Sequence, residues 1–181
     1  MPMELNPDMP HLRAALEGYG VALRNAYQDN LIRSDRIATG ELLNSVEVRV
    51  KGPDGGSWSV VFNLAEWWKY VEDDTKPHWP PRDAILKWIR AKPVIPRPDD
   101  KGRIPTPESL AFLIRRRIAG QSPKGLPGGT KGSHDLEHAE QDTLPKWRAE
   151  IAKALQLDLT EDLRMYVENT FREINPAPVE I

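Results

Sequence analysis

The sequence predicts an α+β fold: a β-hairpin or small antiparallel sheet packed against several helices, with long Pro/Gly-rich loops and a helical C-terminal region. Apolar residues recur every three or four positions in several segments, which is the period of one helical face. Valines alternate with charged residues across 46–51, which is the period of a strand with one solvent-exposed face. The 17 prolines and 12 glycines among 181 residues interrupt regular structure often.

The N-terminal part predicts a helix followed by a hairpin. The helix begins after Asp8-Met9-Pro10, with proline in its first turn. Its apolar face consists of Leu12, Leu16, Tyr19, Leu23, Tyr27 and Leu31. Gly18 and Gly20 each weaken a helix by about 1 kcal/mol relative to alanine. A short helical turn at 39–45 precedes two alternating segments, which predict a hairpin with a five-residue loop at 52–56.

The middle of the chain predicts short helices separated by stiff connections. A short helix is indicated by Trp67, Trp68 and Tyr70. Five prolines within 93–107 indicate a rigid, extended segment of the polyproline II type outside the core. Two further helices are predicted, and the second begins at the Thr106 cap and ends at Gly120. Their apolar residues are Ile85, Trp88 and Ile89 in the first, and Leu110, Leu113, Ile114 and Ile118 in the second.

The C-terminal part predicts more helix after a flexible glycine-rich loop at 121–132. Ser133 is expected to cap one helix, and Pro145 is expected to kink it or to start the next. A last helix is expected to begin at a Thr160 cap, and its apolar face consists of Leu163, Tyr166, Val167, Phe171 and Ile174. These elements divide the chain into an α+β domain, 1–140, and a helical C-terminal extension, 141–181.

The net charge of −2 is the balance of three opposed blocks. Residues 1–75 carry 7 Lys+Arg against 12 Asp+Glu, residues 76–132 carry 13 against 4, and residues 133–181 carry 5 against 11. A basic middle between acidic ends indicates electrostatic complementarity to a nucleic acid or to an acidic protein surface. A second copy of the chain is one such surface.

Several kinds of chemistry are excluded or weakly indicated. The absence of cysteine removes disulfides, thiol nucleophiles and thiolate zinc sites. His134-Asp135-Leu136-Glu137-His138 fits the H-x-x-E-H pattern of some zinc peptidases, but a solvated first helical turn accounts for it better. The glycine-rich segment 125–132 fails the phosphate-loop register at Thr130. We expect no cofactor, no metal, no membrane span and no signal peptide.

Tryptophans and arginines are the strongest candidates for an interface. Four of the six tryptophans fall within 67–88. Because adjacent residues cannot share one helical face, at least one of Trp67 and Trp68 should leave the core, and such exposed apolar surface marks assembly contacts. The candidate interface residues are Trp67, Trp68, Trp79, Arg115, Arg116 and Arg117.

The order of motifs resembles a known family. In sequence order the pieces are a helix, Thr39-Gly40-Glu41-Leu42 with Ser45, the valine hairpin, Tyr70-Val71-Glu72 with Thr75, Pro80-Pro81, Ile85-x-x-Trp88-Ile89-x-x-Lys92, and a helix with Ile114 and Ile118 that ends at a glycine. This set, across roughly residues 10–140, resembles the tail-completion or head–tail joining (neck) proteins of tailed double-stranded DNA bacteriophages. Asp74 stands just before Thr75, where members of this family usually have glycine. Residues 146–174 have no counterpart in the family.

The resemblance implies a non-enzymatic virion protein of the neck or tail region, assembled in the host cytoplasm. Its implied partners are copies of itself in a six- or twelve-fold ring, the portal or adaptor protein, tail proteins, and packaged DNA in the channel. A ring needs a heterologous contact that closes, and the basic segment of one copy meeting an acidic end of the next would suit it. The alternative is a nucleic-acid-binding module that uses the basic segment 76–132.

Overall fold

The computed structural model describes residues 6–35, 37–54, 57–92, 94–98, 101–122 and 125–174. Their elements in chain order are α1 (Pro10–Arg33), α2 (Glu41–Ser45), β1 (Glu47–Asp54), β2 (Ser57–Asn63), α3 (Lys69–Glu72), α4 (Arg82–Ala91), α5 (Pro107–Ile118) and α6 (Asp135–Ile174). β1 and β2 form a two-stranded antiparallel sheet. The fold is therefore α+β, as the sequence predicts, with several helices and a long C-terminal helix.

The chain divides into two compact units. The first contains the described residues of Met1–Ala26, Glu47–Asn63 and Ala139–Ile181, and the second those of Tyr27–Val46 and Leu64–His138. Helices α1 and α6 contribute residues to both units. Helix α6 is continuous across residue 140, and the sequence-based division at that residue stays a prediction.

In the first unit, the hairpin lies against the glycines of α1. A Cβ on Gly20 would be 2.5 Å from Cγ1 of Val48 and 3.2 Å from Cγ1 of Val60. Val48 pairs with Phe62 and Val50 with Val60, so one face of the sheet is apolar. The predicted five-residue loop was too long, because pairing resumes at Asp54 and Ser57 after an irregularity. Residues 55 and 56 lie outside the described part of the chain.

Helix α6 is one element where the sequence predicted separate helices. Pro145 lies inside it. The predicted Thr160 cap is wrong, because Thr160 lies within the helix and its Oγ1 donates to the Gln156 carbonyl at 2.7 Å. Such bonding to the preceding turn is ordinary for threonine in a helix interior. The predicted Ser133 cap is wrong as well, since the Ser133 hydroxyl is buried and has no hydrogen-bond partner among the described residues.

In the second unit, α4 and α5 pack together. Leu86 and Ala111 are their buried residues. Both predicted apolar faces were therefore misplaced in part, because Trp88 and Leu113 are exposed. The ends of α5 are confirmed: the Thr106 hydroxyl accepts from the Ser109 N–H at 3.3 Å, and Gly120 has φ +73°.

The glycine-rich segment before α6 is bound to the chain near α3 rather than forming a free loop. Thr75 and Thr130 form a β-bridge, and the Thr75 N–H donates to the Thr130 carbonyl at 2.9 Å. The Gly132 N–H donates to Asp74 Oδ1 at 2.8 Å, and the Ser133 N–H to the Val71 carbonyl at 2.8 Å. Residues 123 and 124 lie outside the described part of the chain. Among the described residues, no helix has an apolar stretch suited to crossing a bilayer.

Candidate interaction surface

Trp79, Phe112 and Arg115 come together on the second unit, and we call them the aromatic–arginine surface. The ring centroids of Trp79 and Phe112 lie 6.3 Å apart with their planes at 36°. The Cζ of Arg115 lies 5.2 Å from the Trp79 ring centroid, which is a cation–π distance. Trp79 is 43% exposed and Phe112 is 52% exposed. Two large aromatic rings beside a guanidinium are therefore open to solvent.

Proline and helix geometry hold this surface in place. Phe112 and Arg115 are three residues apart on α5, so their side chains share a face. Trp79 precedes the stiff Pro80-Pro81 pair, and Arg115 Nε donates to the Pro80 carbonyl at 2.7 Å. Because Pro80 is buried, this bond anchors the guanidinium against the connection that carries Trp79.

Among the described residues, Arg116 and Arg117 bind loop carbonyls rather than aromatic rings. Arg116 Nε donates to the Gln121 carbonyl at 2.7 Å, and Arg117 Nη1 donates to the Pro127 carbonyl. Each of the three predicted arginines thus holds a loop carbonyl in addition to carrying charge. A guanidinium has five N–H donors, so one such bond leaves the others able to meet an acidic partner.

Trp67 and Trp68 lie in the turn before α3. Trp67 is exposed, as expected for one of two adjacent tryptophans, whereas Trp68 is half-buried. The Nζ of Lys69 lies 5.9 Å from the Trp68 ring centroid. Among the described residues, no ring contact connects this pair to Trp79.

The sequence did not single out Phe112 as an interface residue. The signal that would have found it is the spacing Phe112-x-x-Arg115 on a helix, since residues three apart face the same way. Phe112 also lies outside the predicted apolar face of α5, and an aromatic residue off that face is a candidate for an exposed contact.

A buried polar cluster lies where α6 begins, in the second unit. Glu72 Oε1 accepts from the backbone N–H of Leu136 at 2.6 Å and from that of Glu137 at 3.3 Å. The carboxylate therefore caps the helix in place of the predicted serine. Asp135 is buried beside it and accepts from the Ser34 hydroxyl at 2.8 Å.

Burial dominates the electrostatics of this cluster. It raises the pKa of Glu72, and the Leu136 and Glu137 N–H groups only partly offset it. Burial, with the Glu72 and Asp135 carboxylates, also raises the pKa of Tyr27 above its ordinary value. The Tyr27 hydroxyl and Glu72 Oε2 have no hydrogen-bond partner among the described residues. The Glu72 carboxylate of this cluster caps the start of α6.

The H-x-x-E-H residues span the start of α6. His134 is the residue before α6 and has φ +53°, and its carbonyl accepts from the His138 N–H at 2.9 Å. The His134 ring lies 3.8 Å from Asp74 Oδ1 and 3.7 Å from Glu137 Oε2. Within the described ranges, no group of three or more His, Asp or Glu residues is arranged to hold a metal ion.

Comparison of the chain with models of protein families, with curated proteins and with solved structures finds no match. The resemblance to phage neck proteins therefore stays a prediction that rests on the ordered motifs.

Proposed function

We propose that the chain is a structural subunit of a tailed-phage virion that forms a ring joining the DNA-filled head to the tail. The observation that carries this proposal is the aromatic–arginine surface. Aromatic and arginine side chains are enriched in the energetically important parts of protein interfaces. The ordered motifs across roughly 10–140 supply the class of assembly, and the α+β fold is compatible with it.

Assembly of this kind uses surfaces rather than reactive groups. The charged and aromatic residues that are best placed for it are Trp79, Phe112 and Arg115, with Trp67 as a second exposed anchor. Portal, adaptor and tail proteins above and below the ring are the proposed partners, and packaged DNA passes through its channel.

A phage that encodes the chain provides the direct test. Deletion of the gene should leave filled heads and separate tails in electron micrographs, and a plasmid copy should restore joined virions. Joined, infectious particles without the protein would refute the proposal.

Purified protein provides a second test. Phe112→Ser should lower the fraction of oligomer measured by light scattering and the number of rings seen by negative-stain electron microscopy. Ile32→Ser on α1 is the matched control, because Ile32 is 56% exposed against 52% for Phe112. Equal oligomerisation by both variants would show that the aromatic–arginine surface has no role in assembly.

The basic segment 76–132 supports a second candidate, a nucleic-acid-binding module, through its 13 Lys+Arg against 4 Asp+Glu. Several phosphate contacts would make DNA affinity fall steeply with salt. The proposed assembly role instead predicts weak DNA binding. A steep salt slope that is lost in an Arg116→Gln/Arg117→Gln variant would favour the nucleic-acid role.

A further inference from the structure

The C-terminal half of α6 exposes a continuous apolar stripe. Leu163, Val167, Phe171 and Ile174 are spaced by four, four and three residues, which places them on one helical face. All four are exposed, and Phe171 and Ile174 are 62% and 69% exposed. We call these four residues the α6 stripe.

The same stretch of helix buries carboxylates on another side. Asp158 accepts from the Leu12 N–H at 2.7 Å, and Asp162 accepts from the Asn6 N–H at 2.8 Å. Asp158 is 3% exposed and Asp162 is 6% exposed. At 3.6 residues per turn, Asp162 and Val167 point about 140° apart.

This arrangement reverses the usual pattern, in which the apolar face of a helix meets its own core. The polar side of α6 packs against the start of α1, and the apolar side remains uncovered among the described residues. Exposed apolar surface of this extent marks a contact with another molecule.

Charge and side-chain type indicate what covers the stripe. Residues 157–174 carry five Asp+Glu against two Arg. The aromatic–arginine surface offers the matching chemistry, because it combines two exposed aromatic rings with a cation and lies within the strongly basic segment 76–132. Glu168 lies about 100° around the helix from Val167 and is paired with Arg164, and Glu161 lies on the same side of the helix as Glu168. Arginines of a partner would meet the two carboxylates along that side.

We infer that the α6 stripe of one copy docks on the aromatic–arginine surface of a second copy. This contact is heterologous, because two different surfaces meet: the copy that docks its stripe keeps its own aromatic–arginine surface free, and the copy that receives it keeps its own stripe free, so further copies can add. The inference deepens the proposed function and rests on it, since it names the partner of the aromatic–arginine surface within the ring.

The absence of cysteine allows a direct crosslinking test. Val167→Cys places a thiol in the stripe, and Glu108→Cys places one on the exposed face of α5, one turn before Phe112. Mixed under oxidising conditions, the two variants should form a disulfide-linked pair faster than either variant alone. The control pairs Glu108→Cys with Asn25→Cys, which is exposed on α1. A variant carrying both Val167→Cys and Glu108→Cys should give a ladder of linked oligomers.

Two outcomes would overturn the inference. Crosslinking of Val167→Cys alone at the rate of the mixture would mean that the stripe pairs with itself. Crosslinking of the mixture at the rate of the Asn25→Cys control would mean that the two surfaces do not meet.

Association measurements give an independent readout and separate this inference from the proposed function. Phe171→Ser and Phe112→Ser should each weaken self-association about tenfold or more, and Ile32→Ser should not. Rings that persist with Phe171→Ser would overturn the docking and leave the head–tail role standing. Specific crosslinks together with joined virions in the deletion phage would overturn the head–tail role and leave the docking standing.

Discussion

Buried carboxylates close the N-termini of both long helices. Asp158 accepts from the backbone N–H groups of His11 and Leu12 at the start of α1, and Glu72 accepts from Leu136 and Glu137 at the start of α6. Helix N-termini have unpaired N–H groups and a partial positive charge, so both carboxylates are electrostatically favourable there. Burial raises the pKa of both carboxyls, but hydrogen bonds outweigh it at Asp158 and not at Glu72, so the two residues predict different pH behaviour.

Asp158→Ala should lower the free energy of unfolding by about 2 kcal/mol, because it leaves buried N–H groups unpaired. Urea unfolding at pH 7 measures this. Glu168→Ala is the matched control on the same helix: Glu168 forms an exposed i,i+4 pair with Arg164, and its loss should cost about 0.5 kcal/mol. Equal losses in the two variants would contradict the capping role.

The pH dependence follows from the pKa values of the pair. Burial raises the pKa of Asp158, but the Leu12 N–H, the His11 ring and the His11 N–H outweigh it and hold the pKa below the ordinary 3.8. Its stabilisation is therefore present above pH 3.8 and is lost as pH falls through the native pKa. The hydrogen bond to Asp158 raises the His11 pKa above 6.5, so the His11 contribution is complete below pH 6.5 and is lost as pH rises through the native pKa. Asp158→Asn should therefore make the free energy of unfolding depend less on pH, both in the acidic range where Asp158 titrates and in the range where His11 titrates.

Ionisation of Glu72 should have the opposite effect on stability from ionisation of Asp158. Because burial raises its pKa above 4.5, wild-type stability should fall as pH rises through the native pKa of Glu72. Glu72→Gln keeps an oxygen for the Leu136 and Glu137 N–H groups and removes the buried charge. It should be at least as stable as wild type at pH 7, whereas Glu72→Ala should lose about 2 kcal/mol. Thermal unfolding checks both, and a large loss in the Gln variant would show that the charge itself is required.

At the scale of elements, the glycines of α1 serve close packing. A Cβ on Gly18 would lie 2.6 Å from Cη2 of Trp147, and a Cβ on Gly20 would lie 2.5 Å from Cγ1 of Val48. Both distances are too short for carbon atoms in contact. The apolar contacts between α1, the hairpin and α6 therefore compensate for the low helix propensity of glycine.

Gly20→Ala should destabilise the protein by about 1–3 kcal/mol, although alanine is the better helix former. Asn25→Ala, at an exposed position of the same helix, is the control and should be neutral or stabilising. Chemical denaturation of both variants tests this. A Gly20→Ala protein as stable as the Asn25→Ala protein would show that the hairpin is not held close to α1.

Local signals determined which elements could be predicted. The ends of α5 followed from Thr106, Pro107 and Gly120, because cap, first-turn proline and terminal glycine act within one turn. Helix α6 was predicted in pieces because a proline inside a helix costs about 3 kcal/mol. Its compensation is distant in sequence: Trp147 packs on Gly18, and Ala139 is fully buried.

The helix caps and the geometry of the interface could not be predicted, because both depend on residues that are distant in sequence. Leu136 and its cap are 64 residues apart, and Leu12 and its cap are 146 residues apart, so no local pattern could indicate either carboxylate. Trp79 and Arg115 could be selected from residue type and charge. That they meet around Phe112 depends on how α5 packs against the Pro80-Pro81 connection, which residue type does not encode.

At the scale of the whole molecule, the three charge blocks bear on assembly. A chain of near-zero net charge has little long-range self-repulsion, whereas its blocks of +9 and −6 favour contacts between unlike regions of different copies. Such contacts should weaken with salt, since the Debye length falls from about 10 Å at 0.1 M to about 3 Å at 1 M. Apolar contacts between the α6 stripe and the aromatic–arginine surface should persist, so association should decline with salt without vanishing.

Neutralising the basic block tests this directly. Arg116→Gln/Arg117→Gln removes two charges while the glutamine amides can still donate to the loop carbonyls that these arginines hold. It should weaken association at low salt about tenfold and make the salt dependence shallower. Arg13→Gln/Arg49→Gln removes the same charge from exposed pairs with Glu17 and Glu47, outside the basic block. If sedimentation shows the same salt dependence for both double variants, then net charge governs association and the basic block has no specific partner. If only the first variant loses its salt dependence, the charge that drives copies together lies on the end of α5, next to the rings on which the α6 stripe is inferred to dock.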